Sequence, residues 1–167
     1  KMGSGFSKYK NIAINRFKQT ADYEQGIFFY IKNIKSKRIW SSSKLSFLNK
    51  PDKYKITFCP DSTQIDRIDG NIQTKMKVTI APNEPVEIRK LKLLNTGNQE
   101  EVLEVSAYLE PILSTFMQDY AHPVFNNLFI TTEYIEELNS ILVKRRKRSK
   151  SENDIYLAIN LNSREYL

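Results

Sequence analysis

"QIDRIDGNIQTKMKVTI", residues 64–80, decides the fold class. It reads as two extended arms folded back on each other at "DGN". Asp69-Gly70 supplies the positive-φ chemistry that a tight hairpin needs, because glycine has no Cβ to clash there. On the second arm Met76, Val78 and Ile80 point one way, and Lys75, Lys77 and Thr79 the other. That period of two is a strand with one apolar face; a helix would repeat every 3.6 residues.

The same period recurs in both directions from this hairpin. "NIAINRF" sets Ile12 and Ile14 on one face, and "GIFFYIKNI" is an aromatic and β-branched run ending at the turn "KSKR" before "RIW" resumes. "KYKITF" alternates Tyr54, Ile56 and Phe58 with lysine and threonine. After "APNEP", whose prolines lack a ladder donor, "VEIRKLKLLN" alternates again. Its parity shifts between Ile88 and Leu91, which predicts a bulge. "NTGNQE" is a turn of the Asn/Gly kind, and Leu103, Val105, Ala107 and Leu109 follow in step, so Val86 to Leu113 is expected to form one long hairpin. "STFMQDYAHPVFNN" has no clean period and is expected to be an irregular loop. "LFITTEY", "SILVKRR" and "DIYLAINL" are the last strands, and "DYEQG" and "EYIEEL" are the two short helix candidates. About ten strands with frequent turns indicate an all-β sandwich with antiparallel sheets.

Length and composition agree with this. The chain has 167 residues, 40% of them hydrophobic and 27% charged, which suits one domain of ordinary size. No apolar run approaches the ~18 residues of a membrane helix, and the opening residues lead to no expectation of a secretory signal. Lys1 and the ending "NLNSREYL" are expected to be cuts from something longer. Net charge is +7, and Lys144, Arg145, Arg146, Lys147, Arg148 and Lys150 hold six of those charges, leaving +1 for the rest. Positive charge is therefore read as a local feature of "LVKRRKRSKSEND". That run is compatible with a basic nucleic-acid-binding module using residues 144–150. No reading helix or recognised nucleic-acid module accompanies it, so nucleic acid is not the expected partner. It reads instead as a charged turn between the last two strands.

Cys59 and His122 are the lone members of their kinds. Together they build no zinc site and no disulfide, so no metal and no cofactor are expected. A single thiol suits a reducing, cytoplasmic compartment. Cys59 in "YKITFCPD" is read as a strand-end residue.

Taken in order, several stretches resemble the amino-terminal domain of glycoside hydrolase family 94, formerly glycosyltransferase family 36. They are Gly3 to Ser7 ("GSGFS"), Ala13 to Phe17, Gly26 to Ile31, Arg38 to Ser41 ("RIWS"), Asp69 to Thr74 ("DGNIQT") and Pro85 to Gly97. "DYAHPVFNNLF" and "LVKRRKRSKSEND" add two further blocks. The cyclic β-1,2-glucan synthase branch is the most similar. The resemblance covers essentially the whole chain and is specific as an ordered set. It implies an antiparallel β-supersandwich of the galactose mutarotase-like kind. It also implies that residues 1–167 are part of one truncated amino-terminal domain, and that the catalytic (α/α)6 barrel lies elsewhere in a parent enzyme. Membrane attachment of that parent is an open alternative.

The chemistry follows from what is present. Hydrolysis needs two carboxylates flanking a cleft, and no pair stands out among candidates such as Glu104 with Glu110 or Asp66 with Asp69. Mutarotase chemistry needs a base and an acid around the sugar, and His122 is alone; its plain role is to pin the "AHP" loop by a ring hydrogen bond. No catalytic residue is assigned. Sugar binding is better served, since aromatic rings stack on glucose faces and amides bind hydroxyls. The candidates are Phe6, Tyr9, Trp40 and Tyr120, with His122, Phe125 and Asn126 shaping the surface. Phe28 and Tyr30 are expected in the core, and Trp40 stands between core and site. "GSGFS" is read as a close-packed turn before an anion cradle, for it lacks the helix and lysine of a phosphate loop. The expected partners are a β-glucan or oligosaccharide, the parent's own catalytic barrel and a second copy in a homodimer.

Overall fold

A computed structural model describes residues 5–19, 24–45, 48–150 and 152–163. In chain order the elements are β1 (Lys8–Tyr9), β2 (Ile12–Asn15), β3 (Lys18–Gln19), β4 (Glu24–Gln25), β5 (Phe28–Asn33), β6 (Ile39–Ser41), β7 (Lys53–Phe58), β8 (Ser62–Asp69), β9 (Ile72–Ile80), β10 (Glu87–Asn95), β11 (Leu103–Tyr108) and β12 (Pro111–Ser114). Helices α1 (Phe116–Ala121) and α2 (Pro123–Asn127) follow, then β13 (Ile130–Ile135), a 3-10 turn at Glu136–Leu138, β14 (Ser140–Arg145) and β15 (Ile155–Asn160). All pairings among the described residues are antiparallel. The chain divides into two compact units, Phe17–Leu109 with Gly5, and Phe6–Arg16 with residues 110 onward.

In the first unit the sheet β10-β9-β8-β7 faces the sheet β11-β5-β6, and a short β3-β4 ribbon stands apart. The opening hairpin is present, with Asp69 paired to Ile72 and Gly70 at φ +60°. Asn71 keeps a negative φ, so the two-residue loop is of the II′ kind, with glycine carrying the left-handed step alone. Strand register then aligns residues across the four-stranded sheet. Ile56, Ile65, Met76 and Leu91 form one inward row, which packs on Ile27 and Phe29. Burial in this layer pushes the Tyr54 phenol up to about 12. A second cluster joins Ile31, Trp40 and Ile72, lined by Leu93 and Leu103. Arg67 and Asp69, two apart on the same strand face, form a fully buried pair at 2.6 Å. Arg67 also donates to the Ser43 and Asn49 carbonyls at 2.7 and 2.9 Å. Every arm of that guanidinium is met, which is the condition for burying it.

Three expectations about this unit change. Val86 to Leu113 is not one hairpin: β10 pairs with β9, and β11 pairs with β5. Alternation reports which face a residue occupies and is silent about the neighbour. No bulge interrupts β10, whose register with β9 is continuous from Glu87 to Asn95. The parity shift arises because Ile88 lies on the outer face, half exposed, while Arg89, Leu91 and Leu93 share the inner one. Of "DYEQG", Asp22 and Tyr23 lie outside the described residues, and Glu24–Gln25 form a strand where a helix was expected. Gly3 and Ser4 of "GSGFS" also lie outside them. At Gly5 an added Cβ would collide with the Arg89 guanidinium, which fits a close-packed turn.

The second unit holds the sheets β1-β2-β12 and β13-β14-β15. The register of β12 slips between Pro111 and Ser114, and Leu113 takes a left-handed φ of +44°. That backbone cost turns two consecutive residues inward, Ile112 and Leu113, both fully buried. "STFMQDYAHPVFNN", expected to be irregular, forms α1 and α2. Thr115 caps the first by accepting from the Gln118 amide, and Pro123 opens the second at a position where its missing N–H costs nothing. "EYIEEL" is strand up to Ile135 and a single 3-10 turn after it. The basic stretch is a hairpin turn between β14 and β15, as read.

Candidate functional site

Around the helix pair, residues far apart in sequence are tied by one polar network. Arg16, just after β2, donates from Nη2 and Nε to the two Asp119 oxygens at 2.6 and 2.8 Å. Its Nη1 reaches Glu110 Oε2 at 2.9 Å, and Nη2 also reaches Asn127 Oδ1 at 3.0 Å. Hydrogen bonding to Asp119 outweighs burial and holds the Arg16 guanidinium firmly charged, above its ordinary value. Asn126, fully buried, donates to Asp119 Oδ1 at 3.1 Å and to the Ile112 carbonyl at 3.2 Å, and accepts from Arg148 Nη2 at 3.3 Å. The bulge at Ile112 thus aims a carbonyl at the helix pair. A planar, multi-armed clamp of this kind fixes two helices that are too short to be stable alone.

The basic turn supplies the other half of the clamp. Arg145 donates to the Ile112 and Asn126 carbonyls at 3.5 and 3.4 Å, and Arg146 to the Leu128 carbonyl at 3.1 Å. The Arg148 guanidinium lies over the Phe125 and Phe129 rings at 5.5 and 5.0 Å. Burial, then the nearby Arg148 charge, lower the Arg145 value. Lys144 pairs with Asp154 at 2.9 Å, and the Lys147 amide donates to the same carboxylate at 3.0 Å. So the arginines serve to seal the carbonyl end of α2, where cations belong.

An aromatic ladder sits on this base. Phe6 meets Phe116 edge-on at 6.4 Å, and Phe116 stacks on Tyr120 at 6.1 Å. Phe6 is 41%, Phe116 48% and Tyr120 74% exposed. Met117, Val124, Phe125 and Leu128 are exposed on the same helix pair. Of the sequence candidates, Phe6 and Tyr120 therefore come together, through Phe116. Asn126 lies beneath them as a buried strut. Tyr9 is exposed at the β1–β2 turn, with Lys10 Nζ over its ring at 5.3 Å. His122 is exposed at the corner between helices and is held by its backbone: its N–H donates to the Gln118 carbonyl and its carbonyl accepts from Asn126. Its ring makes no hydrogen bond among the described residues, which corrects the expected ring pin. Trp40 belongs to the first unit, 2% exposed, with its indole N–H on Thr74 Oγ1 at 3.2 Å.

Sequence reading gave no site role to Phe116, Arg16 or Asp119, and took Arg148 only as part of the charged turn. Phe116 and Tyr120 stand four apart, the spacing of stacked neighbours on a helix, and Thr115 three before Gln118 was a readable cap. The Arg16–Asp119 link spans 103 residues and left no local mark.

Among the described residues no three His, Cys, Asp or Glu side chains converge as metal ligands. No helix there is long and apolar enough to cross a membrane. Asp66 and Asp69 point to opposite faces of β8, and Glu104 neighbours Lys32 at 3.8 Å. A depression on β13 and β14, lined by Thr131, Thr132, Glu133, Leu142 and Lys144, offers one carboxylate.

This is an antiparallel β protein carrying a short clamped helix pair. Residues 1–166 match the supersandwich domain of glycosyl hydrolase 94, and the chain belongs to that family. It is 26% identical over 157 residues to the cyclic beta-(1,2)-glucan synthase NdvB of Rhizobium meliloti. That match covers 93% of this chain and 6% of the relative, so the chain spans a small part of the length of the curated relative it matches.

Proposed function

We propose that the chain is a non-catalytic module of a glycosyl-transferring or phosphorolytic enzyme, and that the ladder Phe6, Phe116 and Tyr120 is its glucan-contacting face. The observation that carries this is a run of three exposed rings, Phe116 touching Phe6 on one side and Tyr120 on the other, on a base immobilised by Arg16, Asp119 and Asn126. Rings held this way stack on the apolar faces of pyranoses with little entropy left to lose. The relative's name makes a β-1,2-linked glucan the first ligand to try. The acids speak against catalysis by the chain itself. Asp69 and Asp119 are each taken up by an arginine, and Glu133 stands alone in its depression where hydrolysis needs a pair.

A second reading is favoured by Met117, Val124 and Leu128, large apolar side chains left exposed on and just after the same helix pair. On that reading the face packs on the parent's catalytic barrel or on a second copy. The nucleic-acid alternative is weakened by the employment of Arg145, Arg146 and Arg148 inside the fold.

Titration of the chain with linear β-1,2-gluco-oligosaccharides by calorimetry is expected to show weak binding. Phe116→Ala or Tyr120→Ala should each cost roughly three- to tenfold in affinity. Turnover of β-glucan with phosphate should be absent. Binding indifferent to both substitutions, or clear phosphorolysis, would overturn the reading.

A further inference from the structure

Strands β7, β9 and β10 each carry a Lys-x-Lys pair: Lys53 and Lys55, Lys75 and Lys77, Lys90 and Lys92. The register of β7 to β10 gathers all of them on the outer face of the four-stranded sheet. One cross-strand row runs Lys55, Asp66, Lys75, Lys92, and the next Thr57, Gln64, Lys77, Lys90. Lys53 begins a third row, which continues through Ile68 and Gln73 to Leu94. The core rows alternate with these, so the placement follows from strand period alone.

This arrangement is costly unless something answers it. Lys75 lies directly opposite Lys92, and Lys77 opposite Lys90, and like charges in facing positions destabilise a sheet. Asp66 is the sole acid in the rows, and Lys77 reaches Asp61 at 3.6 Å beyond the strand end. Lys53, Lys55, Lys75, Lys90 and Lys92 are exposed and have no ion pair among the described residues. The basic run at residues 144–150 is different: its arginines are spent on carbonyls and rings.

We propose that this sheet face docks on an anionic phospholipid bilayer surface. Charge complementarity is the first argument, with six ammoniums on a face roughly 15 Å wide. The side-chain types choose among polyanions. All six are lysine, which attracts a diffuse negative surface as a point charge; the forked guanidinium that grips individual phosphates is missing from these rows. No aromatic side chain occupies them to stack on a base. Ile88 and Leu94, half exposed on the same face of β10, flank the lysines with apolar groups suited to the headgroup boundary. The face is built from other residues than the aromatic ladder, and the proposal stands independently of the glucan reading.

The test is flotation of the chain with phosphatidylcholine vesicles, with and without phosphatidylglycerol, at low and high salt. Binding is expected to need the anionic lipid and to fall steeply with salt. Lys90→Gln with Lys92→Gln should weaken it roughly tenfold or more. The thermal midpoint should hold or rise, because the substitutions also relieve the facing charges. Lys147→Gln with Lys150→Gln, in the β14–β15 turn, should leave binding unchanged. Equal binding to uncharged vesicles, undiminished binding by the first pair of substitutions, or binding to duplex DNA without binding to vesicles would each overturn the proposal.

Discussion

Arg67 and Asp69 show how much a single side chain can decide here. Both are essentially removed from water, joined by two hydrogen bonds, and Arg67 is further met by two backbone carbonyls. Removing one partner strands the other charge in the core. Asp69→Ala should therefore cost about 3–5 kcal/mol, measured by urea denaturation. Replacing both residues by leucine or methionine should cost less than that single change, because no bare charge remains. At this scale the sequence was informative where a residue acts through its own type. Phe6 and Tyr120 stood out as aromatics, and Gly70 as a turn residue. It was uninformative where a role depends on a distant partner. Asn126 was readable as a surface amide, yet it is a fully buried strut between Asp119 and the Ile112 carbonyl. Trp40 could not be divided between core and surface from its neighbours, because "RIW" occupies a strand so short that it has no clear period.

Hairpins were legible as elements wherever the turn carried its own chemistry. "DGN" and the polar run before "DIYLAINL" both fold back as their residues dictate. The pairing of β11 with β5 was not legible, since it joins segments some seventy residues apart and depends on which edge is free. The β14–β15 turn makes a pH prediction. Hydrogen bonds from Lys144 and from the Lys147 amide hold the Asp154 carboxyl below the usual carboxylate range. Its folded value thus lies under its unfolded value. The contribution to stability is complete above the unfolded carboxylate value, ~3.9, and disappears as pH falls through the lowered folded value. Hydrogen exchange at the Lys147 amide should stay protected to about pH 4 and lose protection below it. Asp154→Asn should abolish that acid-dependent loss, leaving weaker protection throughout.

For the whole molecule, charge reads differently in one dimension and in three. In sequence the +7 concentrates at residues 144–150, and the remainder is nearly neutral. In space the compact run is largely absorbed by the helix pair, while six dispersed lysines form a coherent field on one sheet face. The cause is geometric, because lysines at alternate positions on three strands share a face whatever lies between them in sequence. Family membership was legible from an ordered set of short motifs, and the division into two compact units was not. That division gives the chain's one tryptophan a use. Trp40 is buried in the first unit, so its emission is a built-in optical gauge of that unit alone. Heating while following both tryptophan emission and far-ultraviolet circular dichroism should reveal whether the units melt together. Coincident curves would mean one cooperative transition, and a fluorescence change displaced from the dichroism change would mean two.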